Sequence, residues 1–393
     1  MTKKLWIYLV LSILLTFSVS SIHPSPAVSA ASINVKSFGA KGDGKTDDTK
    51  AIQRAITSAK GKLVVIPKGT YRISYLAIPS NTKIAGTSAI LKANKPYSYM
   101  LKITGSNVSV SGVTIDGNNL SIQGINIGAN LSGITIQKST VQNITQVTAF
   151  KGQIPVGVRI DGNTSNVVLD QINIKNITGV FNIGSTKEAI GVLAAPSKAG
   201  QPAGKSTIIK NSTFENIGPR DNSHAIMVKG YTQKTNIKIE NNTFSKIRDK
   251  AIKIMSPGVS IIGNKITNSF NKNNPSVIAA NKPFDMTSAI QVSADYVIID
   301  KNTIGGVGSY FAAIELIGTN NITITNNNIS NGANFSSSDL IRINAATSGP
   351  TAKATLRNIT ITNNSLKNGL NGVLLNAGVE GFVSSKNIYV NCR

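Results

Sequence analysis

This chain of 393 residues is short of the residues that usually supply covalent cross-links, metal ligands or large aromatic platforms. It holds one cysteine, Cys392 beside the C-terminus, so no disulfide can form within the chain and stability must come from a packed core. Its two histidines, His23 and His224, are too few for a His-clustered metal centre. Acidic residues number 17 against 41 Lys and Arg, a net charge of +24. Beyond Val19 no apolar run is long enough to span a bilayer.

Residues 1–30 have the make-up of a secretory signal: Lys3 and Lys4, an apolar run from Leu5 to Val19, then "PAVSA" with a cut expected after Ala30. An extracellular product is expected. Loss of Lys3 and Lys4 lowers the charge from +24 to +22, and loss of Trp6 and His23 leaves no tryptophan and a single imidazole, His224. A secreted chain this basic suits an anionic partner, with an acidic polysaccharide the expected class and nucleic acid not expected. Lysine also solubilises sheet edges, a plainer reason for the same composition. Oligomeric state is not legible in the sequence.

What the chain does have is a repeat. From about residue 107 a short apolar strand, a turn and a second strand ending in an Asn-rich corner recur, as in "AIKIMSPGVSIIGNKI", "AIQVSADYVIIDKNTI" and "AIELIGTNNITITNNNI". The residues closing successive second strands are Ile115, Val141, Ile174, Phe214, Phe244, Ile266, Ile304, Ile329 and Leu366, spaced 22 to 40 residues apart. Alternation with period two indicates strands, and one such unit cannot bury its own apolar face whereas a stack of them can. The expected fold is all-β, a right-handed single-stranded parallel β-helix of roughly nine or more coils. Two positions before the closing residues stand Ser212, Asn242, Asn264, Asn302, Asn327 and Asn364, which in register would stack about 4.8 Å apart and hydrogen-bond along the axis.

Residues 33–92 read as an N-terminal cap and first coil, with 107–390 as the repeat coils of one domain spanning 31–393. A helix is expected from Thr46 to Lys60, with Asp47 and Asp48 in its first turn and Ala51, Ile52, Ala55 and Ile56 as its apolar stripe. The stretch "FGAKGDGKTDDTKAIQRAI" followed by "VVIPKGTY" resembles the opening motif of the pectate-lyase-like superfamily. That resemblance implies a parallel β-helix with action on a polysaccharide. It leaves the reaction open, because the superfamily includes hydrolases, lyases, epimerases, tailspikes and non-catalytic relatives.

Aligning the first strands coil by coil gives an outward ladder of Arg159, Gly191, Met227, Lys253, Gln291, Glu315 and Arg342. One corner column holds Glu188, His224, Lys250, Ser288, Ala312 and Asp339. Glu188, His224 and Lys250 on successive coils form the strongest catalytic constellation in the chain. β-Elimination on a uronate needs a cation to neutralise the carboxylate, a base for the proton α to it, and an acid for the leaving oxygen. His224 is the first choice for proton transfer, with Lys253 and Lys250 as clamps or alternative bases. Arg159, Glu188, Lys229, Gln291, Glu315 and Arg342 are the expected substrate-binding margin. Lys229, diagonal to Lys253, is expected to depress its pKa. Glu315 and Arg342 are expected to form an ion pair.

"RDKAIKIMSPGVSIIGN" also resembles a polygalacturonase stretch, which would place that family's catalytic aspartates at His224, Asp249 and Lys250. Asp249 alone keeps the chemistry, and an inverting hydrolase needs a second carboxyl group, for which Asp221 and Asp285 are the candidates. Tyr231, Tyr296 and Tyr310 are the candidate sugar-stacking rings. No cofactor is required, and no cluster of acids falls on adjacent rungs where calcium would be held. The readings carried forward are a metal-independent lyase for an acidic polysaccharide, a polygalacturonase-like hydrolase, and a non-catalytic glycan- or wall-binding protein. Long inserts at 142–157, 178–188, 194–206 and 268–288 would wall the ladder if they lie on its face.

Overall fold

The computed structural model describes residues 32–150, 152–179, 188–218, 222–267, 286–330, 338–346 and 355–393. The expected signal segment, Asp221, Asp285 and most of the inserts at 178–188 and 268–288 lie outside the described residues. The chain divides into Met1–Ala31 and Ser32–Arg393, and the second unit carries the fold.

That unit is a parallel β-helix. Eleven short strands, from Leu76–Ile78 through Lys250–Met255 to Val373–Asn376, stack into one parallel sheet. The rest of each coil feeds a second sheet of 24 strands. A coil therefore has three strands where the repeat suggested two: Lys250–Met255 is followed by Val259–Ile262 and Lys265–Thr267. The expected second strand is two strands folded at the Asn corner. The nine closing residues pair in the expected register, from Ile115 with Val141 to Ile329 with Leu366, and Tyr389 adds a further rung.

Two adjacent residues make the corner, each for its own reason, and in several coils both are asparagine. Asn241, Asn326 and Asn363 turn the chain with φ of 54°, 56° and 56°, the left-handed region that Asn tolerates better than other side chains with a Cβ. The next residue points inward. Asn264 accepts from the backbone N–H of Asn242 at 2.9 Å and from its amide at 3.0 Å, and Asn302, Asn327, Asn364 and Asn387 repeat the pattern. Each amide also donates to a backbone carbonyl of the preceding coil, such as Asn302 to Ile261 at 2.9 Å. The stack thus satisfies polar groups that are otherwise stranded in an interior of Ile, Val and Leu. Phe214 and Phe244 stack within that interior with ring centroids 4.9 Å apart.

The cap helix is shorter than expected, Thr49–Ser58, and its buried face is Ala51, Ile52, Ala55 and Ile56. Thr46 and Asp47 belong instead to the strand Asp43–Asp47. Asp48 occupies the cap position without capping the helix: its buried carboxylate accepts from the backbone N–H of Lys41 at 2.6 Å and Gly42 at 3.0 Å. A Cβ on Gly42 would stand 2.7 Å from the ring of buried Tyr71, and one on Gly69 2.7 Å from the Gly42 carbonyl. The Gly-Asp-Gly, Asp-Asp and Gly-Thr-Tyr elements of the motif are therefore one interlocked turn. Asp43 serves the same turn, accepting from Lys45 and Thr46, and these hydrogen bonds pull its carboxyl down to about 2.

Turns at the Asn corner are tight, whereas the long connections among the described residues enter or leave strands of the eleven-stranded sheet. Residues 146–155 lead into Val156–Ile160, and residues 195–206 leave Ile190–Ala194. The chain thus spends its spare length on the two borders of one sheet. No helix among the described residues is long and apolar enough to cross a membrane.

Candidate functional site

The outward column of the eleven-stranded sheet follows the expected ladder with one correction. Arg159 pairs with Leu193, Leu193 with Met227, then Lys253, Gln291, Glu315 and Arg342 follow in register. Leu193 takes the place assigned to Gly191. The same two-residue shift puts Ile190, not Glu188, level with His224. Gly191 occupies the small-residue position because a Cβ there would meet the Ala225 carbonyl at 2.5 Å. Towards the N-terminus the column continues through Asn126 to Lys102, two residues missed in the sequence.

His224 and Lys250 are neighbours as expected, but neither is presented openly. His224 is fully buried, and neither ring nitrogen has a hydrogen-bond partner. Its Nδ1 lies 3.8 Å from Asp249 Oδ2. Asp249 Oδ2 accepts from Lys250 Nζ at 2.7 Å. Lys250 also donates to Thr287 Oγ1 at 3.0 Å, and Thr287 in turn donates to Asp249 Oδ1. These residues meet because the corner is made by the backbone: Asp249 and Thr287 lie on adjacent coils, joined by the Thr287 N–H donating to the Asp249 carbonyl at 3.0 Å. Thr287 was missed because threonine at a strand entry carries no distinctive signal.

The electrostatics follow from burial and from this juxtaposition. Burial pushes His224 well below its ordinary value, and the ammonium groups of Lys253, Lys250 and Lys229 add to that, against the pull of Asp249. Burial tends to raise Asp249, but the charges of Lys250 and His224 and the hydrogen bonds from Lys250 and Thr287 outweigh it and hold the carboxyl low. Lys253 is half-buried, and burial followed by repulsion from Lys250 lowers it below a free lysine, with Lys229 a smaller contributor than expected. Asp249 and Glu188 oppose that shift, so Glu188 remains within the field of Lys253 although it is off the corner column.

The other margin residues divide. Glu315 is buried and accepts from Ser288 Oγ at 3.1 Å and Gln291 Nε2 at 2.7 Å. Arg342 forks onto Asp339 with contacts of 2.7 and 2.6 Å, so the ion pair expected with Glu315 is replaced by one within its own strand. Arg159 reaches the Ala195 carbonyl at 3.4 Å, and Lys229 is half-buried at the end of the strand His224–Lys229. Tyr231 is a buried core residue rather than a stacking platform. Tyr296 and Tyr310 are exposed, and Lys234 Nζ sits 3.7 Å from the Tyr296 ring centroid. Among the described residues no group of three or more His, Cys, Asp or Glu is placed to hold a metal ion.

Fold and site together define a parallel β-helix with cationic side chains along the outer face of its eleven-stranded sheet. A family model described as rhamnogalacturonase A/epimerase, pectate lyase-like, matches residues 32–274, and the chain belongs to that family. Alginate lyase 7 of Azotobacter vinelandii is 53% identical over 64 residues, 14% of this chain and 8% of the relative. Mannuronan C5-epimerase AlgE5 of the same organism is 31% identical over 152 residues, 37% of this chain and 14% of the relative. The chain therefore spans only a small part of either relative's length. Among solved structures, the surface adhesin PfbA of Streptococcus pneumoniae superposes with a TM-score of 0.64 at 18% identity, covering 92% of this chain and 91% of that one. The fold is thus shared with a surface adhesin.

Proposed function

We propose that the protein is a secreted lyase that cleaves an acidic polysaccharide by β-elimination, with Lys253 as the base. The observation that carries this reading is Lys253 itself: a half-buried amine on the outer face of the sheet, its pKa lowered by burial and by Lys250. A lysine works as a base when its neutral form is accessible, and these are the two influences that make it so. Full burial and unpaired nitrogens remove His224 from contact with a polymer. It becomes a positioning residue beside Asp249, which in turn fixes Lys250. In the proposed step Lys253 Nζ takes the proton α to the uronate carboxylate. The C–O bond to the leaving sugar breaks, a C=C bond forms in the ring left behind, and the leaving oxygen gains a proton from solvent. Lys229 supplies the charge that offsets the carboxylate.

Incubation with pectate, alginate, hyaluronan and chondroitin should produce ultraviolet absorbance from unsaturated uronate on one of them. New reducing ends without that absorbance would move the assignment to hydrolysis, with Asp249 the first carboxylate to examine.

One observation favours a second reading, a glycan-binding adhesin. Leu193, Met227 and Glu315 stand in the outward column yet are each only 3% exposed, so a polymer passing over the column meets its charged side chains at separated points, a pattern that suits holding more than cleavage. Binding without any product would select that reading.

A further inference from the structure

The N-terminal end of the outer face carries a cluster that the proposed chemistry does not use. Tyr75 and Tyr97 stack with centroids 5.3 Å apart, and Tyr99 closes on both at 5.5 and 6.3 Å. Lys102 Nζ lies 5.0 Å from the Tyr99 centroid. The three rings are half-buried, whereas Leu76, Met100 and Leu101 beside them are fully buried in the core. Tyrosines built only to fill an interior would be on that inner side. The cluster's placement is set by the coil register. Met100 N–H donates to the Gln123 carbonyl at 3.1 Å, and Gln123 pairs with Val156, which is level with Ile190 and His224. Tyr99 is thus level with the column that runs through His224 and Lys250, and Lys102 lies in the column that holds Lys253.

We infer that Tyr75, Tyr97, Tyr99 and Lys102 form a second glycan subsite, which holds a sugar ring of an acidic polysaccharide by stacking while Lys102 meets its carboxylate. A pyranose presents C–H bonds on one face, and a tyrosine ring offers an apolar face with a polar rim at low entropic cost. Charge selects the acidic sugar: the Lys102 ammonium stands at the Tyr99 ring, where it can meet a carboxylate on a sugar stacked beside it. The inference rests on the acidic-polysaccharide reading above and extends it in space. Five rungs separate Lys102 from Lys253, about 24 Å at the spacing of parallel strands. One polymer lying along the face would engage both ends, so affinity grows with chain length because the second contact becomes intramolecular.

The test is direct binding of oligouronates, one too short and one long enough to span the two ends, with a neutral glucan as control. The long oligouronate should bind wild-type protein on the order of tenfold or more tighter than the short one. Tyr97→Ala and Lys102→Glu should each remove most of that gain, with folding checked by the thermal midpoint. Lys102→Glu leaves the core untouched and keeps the test decisive if Tyr97→Ala does not fold. A gain that survives Lys102→Glu, or no gain in wild-type protein, overturns the inference. The lyase reading fails separately: a sensitive gain without unsaturated product removes the lyase and keeps the subsite, and product with an insensitive gain does the reverse.

Discussion

At the scale of single residues, two basic side chains on adjacent coils are asked for opposite things. Lys253 must shed its proton to act, and the lowering of its pKa means that turnover rises with pH through a value below the 10.5 of a free lysine. Lys253→Ala should reduce kcat on the order of a hundredfold or more, and Lys253→Arg should not restore it, since arginine stays protonated. His224 instead must stay neutral. The unfolded chain's imidazole takes up a proton near pH 6.5, whereas the buried one resists it, so below that pH the unfolded state binds more protons and stability falls as pH drops. His224→Leu should flatten that fall in urea midpoints measured between neutrality and mild acid. It should also stay close to wild-type stability at neutral pH, because the two nitrogens it removes are buried without hydrogen-bond partners. Register alone made His224 and Lys250 legible as neighbours, whereas it misplaced Glu188 and did not show that Asp249 lies between them. It did not show that His224 is buried, because burial of a corner residue depends on how neighbouring connections close over it.

Elements were legible in proportion to how strongly their faces differ. The closing residues and the Asn column could be aligned along the whole solenoid because each position has a single permitted chemistry, apolar inward or amide in the stack. The strand Ile190–Ala194 was placed two residues out of register for a matching reason. A shift of two keeps every side chain on its face, and "AIGVLAA" offers Ala189 and Gly191 as equivalent small residues. Only the 2.5 Å approach to the Ala225 carbonyl distinguishes them, and that distance exists only in three dimensions. The Asn column carries its own prediction. Asn302→Ala would leave the buried N–H of Asn264 without its acceptor and remove the amide that donates to the Ile261 carbonyl, while the Asn264 amide keeps its bonds to the Ile239 and Ile262 carbonyls, a loss of about 2 kcal/mol. Asn387→Ala, at the partly buried last rung, should cost less. Guanidinium midpoints of the two variants should keep that order, and equal midpoints would mean that the stack contributes no more inside than at its end.

For the whole molecule, the pertinent fact is an excess of 22 positive charges, 24 less Lys3 and Lys4, carried on a fold that lines up its outer residues at a fixed spacing. Arrangement matters more than the total. Lys102, Arg159, Lys253 and Arg342 occupy one column, and Arg342 is neutralised by Asp339, so the unscreened cations are weighted towards the N-terminal and central coils. A polyanion lying along this column meets its charges a few ångströms away, while lysines on the other faces act from much farther. With a screening length of about 10 Å at 0.1 M salt, the distant lysines steer encounter only at low ionic strength. Two regimes should therefore appear as salt is raised. Association with a long oligouronate should slow steeply first, and the remaining affinity should then depend on the column alone. Surface plasmon resonance at stepped sodium chloride concentrations separates these, because steering acts on the association rate and close contacts on the dissociation rate. Lys253→Ala and Lys102→Glu should raise the dissociation rate at high salt, whereas Lys238→Ala, an exposed residue of the 24-stranded sheet, should change only the low-salt association rate. If Lys238→Ala and Lys102→Glu behaved alike at every salt concentration, the charge would act as a diffuse coat and the column would have no special part in recognition.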